Sequence, residues 1–232
     1  MNILKKIQLP LGLLTLISLA VGAWYVYQAP ADFQQGGAVR ILYVHVPSAK
    51  MALLSYLFLT VASVLYLWKR WEGADIVAEA ATAVGAAFTA LTLASGAIWG
   101  KPMWGTWWAW DARLTSMLVL LIIYKGLMVL RHSLDDPVKG ARATAILAII
   151  GGVDLPIIHY SVVWWRTLHQ PPSLTAAENS SVHISGPLLP PLLILSGAFI
   201  LLGLYMVTVK ARQIEARRRL DALEAARMHP DE

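Results

Sequence analysis

The chain has 232 residues, of which 57% are hydrophobic and only 14% charged, with a formal net charge of +5 and a mean hydropathy of +0.58. Soluble domains carry about 25% charged residues and disorder requires low hydrophobicity, so a water-soluble enzyme and an unstructured chain are both excluded. Cysteine is absent, which removes disulfides, thiolate metal sites and cysteine nucleophiles.

A membrane span needs about 20 mostly apolar residues, and six segments qualify. The first, Leu9–Tyr27, follows Lys5 and Lys6. It is too long for a signal-peptide core and lacks a small-residue cleavage site, so it reads as a retained helix. Val44–Trp68, Ile76–Ala97 and Leu114–Leu130 follow, and Lys125 in the fourth segment can snorkel to the nearer surface. In the fifth, Ala143–Val163, Asp154 lies near the middle, two residues before Pro156. Its carboxyl has either a local bonding role, at a carbonyl freed by the proline, or a ligand or proton role. The sixth is Leu188–Val209. Residues 1–209 are thus expected to form an all-α bundle of six transmembrane helices. Residues 210–232 form a basic helix or tail, with Ile214, Leu220 and Leu223 spaced for one face.

Basic residues of short loops concentrate on the cytoplasmic side. With the N-terminus inside, the inner segments hold Lys5, Lys6, Lys69, Arg70, Arg131, Lys139, Arg142 and six residues of the tail. The outer segments hold only Arg40, Lys101, Arg113 and Arg166. Both termini are therefore expected in the cytoplasm. The positive charge is a topology signal rather than a footprint for nucleic acid.

On this topology Trp24, Trp99, Trp104, Trp107, Trp108, Trp110, Trp164 and Trp165 fall on the outer side, and only Trp68 and Trp71 on the inner. An interfacial belt would place tryptophan at both surfaces. The loop over residues 99–113 contains Trp104-Gly105-Thr106-Trp107-Trp108-Ala109-Trp110-Asp111, which is either a segment resting in the headgroups or a platform for a flat apolar ligand. Asp111 is either the cap of the next helix or a polar group beside that platform. His45 and His169 flank the platform on the same face, with His183 nearby. Two neutral imidazoles can fill both axial positions of one haem iron. Arg40 and Arg113 can pair with its propionates.

The tryptophan-rich segment resembles the WWD signature of haem-handling membrane proteins of cytochrome c biogenesis. Tyr43-Val44-His45-Val46-Pro47 is similar to the HVP start of the second helix in the CcmC family. Trp164-Trp165-Arg166-Thr167-Leu168-His169-Gln170 is similar to that family's WW…TLHQ segment. The resemblance implies a non-enzymatic haem-delivery protein of the bacterial inner membrane, holding haem b transiently at the periplasmic face. It implies His45 and His169 as axial ligands, with Trp104, Trp107, Trp108, Trp110 and Asp111 as haem platform and chaperone-facing surface. Implied partners are the haem chaperone CcmE, the ABC-transporter subunits CcmA and CcmB, and the small membrane protein CcmD. A b-type cytochrome exchanging electrons with quinone is the alternative use of such a histidine pair, although electron carriers usually bury their ligands inside the bundle. A small-solute transporter has little support, since the Asp154–Pro156 feature has no counterpart in another half of the chain.

Overall fold

A computed structural model of the chain describes residues 2–169 and 186–228. Among the described residues, seven α-helices build six apolar spans: α1 (Asn2–Gln28), α2 (Leu42–Lys69), α3 (Glu72–Trp104), α4 (Ala112–His132), α5 (Pro137–Gly151), α6 (Asp154–Trp164) and α7 (Leu189–Met228). A 3-10 turn over Gly37–Ile41 leads into α2. His183 and His229 lie outside the described residues. Helices dominate because a chain in lipid must satisfy its backbone groups within each segment.

The helix ends follow from local chemistry. Asp136 caps α5 by accepting hydrogen bonds from the Val138 and Lys139 amides at 2.8 and 3.2 Å, with Pro137 in the first turn where its missing N–H costs nothing. Gly105 closes α3 in the left-handed region, at φ 75°, where a side chain would be strained. The chain then turns into the tryptophan-rich segment.

The fifth expected span is not one helix. It breaks between α5 and α6 at Gly152-Val153, although the two pieces together remain long enough to cross. Pro156 explains the break, since its ring crowds the carbonyl of residue 152 and its nitrogen cannot donate there. Asp154 accordingly sits in the first turn of α6 rather than in mid-helix, and its Oδ2 is buried without a hydrogen-bond partner. At the break α5 closes tightly on α2, where a Cβ on Gly151 would collide with the Tyr56 hydroxyl. Beyond it α6 packs against α4 and barely touches α2.

The helix pairs α2–α3 and α1–α7 form the largest contacts, with α2 also against α7 and α5. The core is centred on Tyr43, Tyr56, Leu59, Leu120, Tyr124 and Leu192. Tyr124 donates to the Ala52 carbonyl at 3.0 Å and stacks edge-on with Tyr56. Buried hydroxyls return to their own helices: Thr82, Thr89 and Thr92 each donate to the carbonyl four residues back.

The two ends of the bundle differ in chemistry. At the end carrying the termini, Arg131 grips Asp75 with two bonds of 2.6 Å, and Arg218 reaches Asp75 at 2.7 Å and Glu79 at 2.8 Å. Glu79 at first sight resembles a snorkelling residue, but it is a member of this network. The network ties α7 to α3 and α4 well past position 209, which α7 crosses without a break. Ile214 packs inward with Ala80 and Ala211, while Leu220 and Leu223 stay exposed. The Asp75 and Arg131 side chains are only 8% and 12% exposed. Asp75→Ala removes the carboxylate that both guanidinium groups bond and leaves them Glu79 at 2.8 and 3.2 Å, a loss expected to cost about 2 kcal/mol. Thermal unfolding in detergent and tryptic cleavage at Arg217 and Arg219 would register the loss; an unchanged midpoint and cleavage rate would contradict it.

Candidate haem-binding site

At the opposite end, α2, α3, α4, α6 and α7 enclose a cavity of about 430 Å³, within the range of small-molecule and cofactor sites. His45, Trp104, Trp108, Arg113 and His169 all line it, although they come from α2, α3, α4 and the segments flanking α4 and α6. Trp99, Gly96, Met103 and Met117 complete much of the wall.

His45 lies in the first turns of α2, and its position depends on α3. Its Nδ1 stands 3.2 Å from the Ser95 hydroxyl, which donates its single proton to the Leu91 carbonyl at 2.7 Å. A hydroxyl whose proton is given to that carbonyl can accept from an Nδ1–H, and in that tautomer the lone pair is on Nε2. Gly96 makes the close approach possible, since a Cβ there would lie 2.9 Å from His45 Cε1. Trp99, one turn further along α3, meets the imidazole edge-on at 5.6 Å and anchors its own indole N–H on Gln35 at 3.0 Å.

His169 is held by Asp111. One oxygen of that carboxylate caps α4, accepting from the Leu114 amide at 2.8 Å. The other accepts from the Leu168 amide at 3.2 Å and stands 3.5 Å from His169 Nδ1, close but without hydrogen-bond alignment. Asp111 is thus the cap of α4 and also approaches His169, but it does not itself line the cavity. Burial lowers the His169 pKa from the ordinary histidine value; Asp111 opposes that shift and Arg113 adds to it. The imidazole is accordingly neutral at pH 7, the form that ligates iron. Trp104 meets it edge-on at 5.0 Å.

The tryptophans divide into two groups. Trp99, Trp104 and Trp108 face the cavity, and the Trp108 indole nitrogen is buried with no hydrogen-bond partner, a donor left over for a ligand. Trp107 and Trp110 are 57% and 77% exposed. Thr106 shapes the bend between the groups, donating to the Trp108 carbonyl at 2.9 Å. Arg40 does not line the cavity; it is exposed, with its guanidinium 3.3 Å from the Ala29 carbonyl. Among the described residues no group of three metal-ligating side chains occurs.

Ser95 and Gly96 escaped the motif-based reading, and Trp99 was counted among the outer tryptophans without being assigned to the site. Their signal was the helical spacing of Thr92, Gly96, Trp99, Gly100 and Met103, which places small and aromatic residues on one face of α3. Lys50 and His159 line the cavity too, and neither stands in a motif that singled it out.

Residues 1–226 match the family model described as CcmC, heme exporter protein C. A heme exporter protein C of Bradyrhizobium diazoefficiens is 45% identical over 217 residues, covering 92% of this chain and 82% of the relative. That of Haemophilus influenzae is 46% identical over 200 residues, 86% and 80% of the two chains. That of Escherichia coli K12 is 49% identical over 161 residues, 69% and 66% of the two.

Proposed function

The chain belongs to the heme exporter protein C family, and from that premise we propose that it holds haem b between His45 and His169 and passes it to the periplasmic haem chaperone CcmE. The family places it in haem delivery for cytochrome c maturation, as a multi-pass membrane component of an export system with other subunits. The observation that carries the finer reading is the single cavity in which two imidazoles, each with its Nδ1 turned to a protein partner, stand among tryptophan faces beside Arg113.

The residues fit this cargo. The apolar wall accommodates a porphyrin, Arg113 and the Trp108 N–H offer partners for propionate oxygens, and two histidines leave no iron position open for oxygen. Storage without activation is what a delivery protein requires. Trp107 and Trp110, turned outward, are suited to present the haem edge to CcmE, while Trp99, Trp104 and Trp108 hold it. Arg40, on the outer rim, is placed to meet a propionate or the chaperone. The Lys/Arg bias puts the tryptophan end in the periplasm and both termini in the cytoplasm of a bacterial inner-membrane protein. CcmA, CcmB and CcmD are the proposed companions, and residues 210–232 a cytoplasmic extension. The electron-carrier alternative has no comparable observation behind it.

Purification from solubilised membranes tests the reading. The expected result is a bound protohaem with a six-coordinate, two-imidazole spectrum that decreases as purified CcmE takes up haem. A pigment-free protein that binds no added haem would overturn it.

A further inference from the structure

The cavity does not end at the histidines. Lys50 lies five residues beyond His45, about 7.5 Å deeper along α2, and lines the same cavity together with His159 of α6. His159 lies five residues before the end of α6, hence at a similar depth. Its side chain lines the cavity and is exposed.

The helix packing changes at the break between α5 and α6. Below the break α5 is drawn onto α2 at Gly151 and Tyr56, whereas above it α6 leans on α4 and leaves α2. α2 and α6 thus part beside the cavity that both line, a gap in the helix packing. Val153 just before α6 and Val163 within it are 65% and 70% exposed, as lipid-facing residues are. Lys50 stands at the gap with no ion pair or hydrogen bond among the described residues. A basic group at such depth without a partner points to an anionic group that visits it.

We propose that the gap between α2 and α6 is a lateral portal, through which the ligand enters the cavity edge-first from the adjoining bilayer leaflet, with Lys50 guiding a carboxylate. This rests on the reading of the ligand as haem, a flat apolar molecule with two carboxylates that partitions into lipid. A route through the outward tryptophan surface would then serve release, so entry and exit would use different faces.

The absence of cysteine gives a clean test. Lys50→Cys and, as a control, Ile122→Cys on the exposed face of α4 (61% exposed) each introduce a single thiol. The variants are placed in nanodiscs, labelled with a bulky lipid-soluble maleimide, and mixed with phosphatidylcholine vesicles carrying haem. Labelled Lys50→Cys is expected to load at least about tenfold more slowly than its unlabelled form, the effect of about 1.4 kcal/mol of added barrier. Labelled Ile122→Cys should load normally, and Lys50→Cys filled with haem before labelling should keep its spectrum. Lys50→Met should load about fivefold more slowly than the native chain, with Lys50→Arg restoring the rate. Equal loading of labelled and unlabelled Lys50→Cys would overturn the portal. Equal loading of Lys50→Met and the native chain would overturn the guiding role. If no form binds haem even from detergent solution, the haem reading itself falls and the portal with it.

Discussion

Replacing His45 or His169 by Ala is expected to abolish the six-coordinate haem spectrum and to weaken haem binding by more than about 100-fold, the upper figure for losing a group that merely orients a ligand. Each variant should leave a five-coordinate, high-spin haem, and added imidazole should restore the six-coordinate spectrum by entering the vacated space. The two losses need not be equal. His45 is fixed by a helix-to-helix contact, its ring against Gly96 and its Nδ1 on Ser95. His169 stands on an irregular segment and depends on one carboxylate. Haem in the His169→Ala variant should therefore stay in place, held by the better-anchored His45. An unchanged spectrum in both variants would rule out the axial assignment.

Asp111→Asn is expected to lower haem affinity by about 10–100-fold while leaving the thermal midpoint in place. An amide caps a helix as well as a carboxylate does, so the bond to the Leu114 amide survives. What disappears is the negative charge 3.5 Å from His169 Nδ1, which favours the Nδ1–H tautomer and directs Nε2 to the cavity. Asp111→Ala removes both functions and should add a stability cost of about 1 kcal/mol. Haem titration of the two variants beside their unfolding curves separates the roles. If Asp111→Asn binds haem like the native chain, Asp111 acts as a cap alone.

Part of the cavity's lining was legible one residue at a time. Tryptophan in quantity at one membrane face, a histidine beside a proline at a helix start, and Trp-Asp before an apolar run are local patterns. They identified five of the cavity-lining residues, His45, Trp104, Trp108, Arg113 and His169, before any coordinates. The same patterns could not separate Trp107 and Trp110 from Trp104 and Trp108. All four sit within seven positions, and only the bend stabilised by Thr106 turns two inward and two outward. Ser95 and Gly96 were invisible for a different reason. A serine and a glycine in an apolar helix have no chemical signature until a neighbouring helix brings an imidazole against them.

The six spans followed from composition alone, because lipid enforces helices. Tertiary structure decided where those helices touch. It put Glu79 into an ion network with Arg218, 139 positions away, and it set α6 against α4 and away from α2 beyond the break that Pro156 makes. It also set His45 and His169, 124 positions apart in the chain, into one cavity. Backbone satisfaction in lipid is local and can be read from any twenty residues. The meeting of side chains from different helices depends on which small residues permit close approach, and that is a property of pairs.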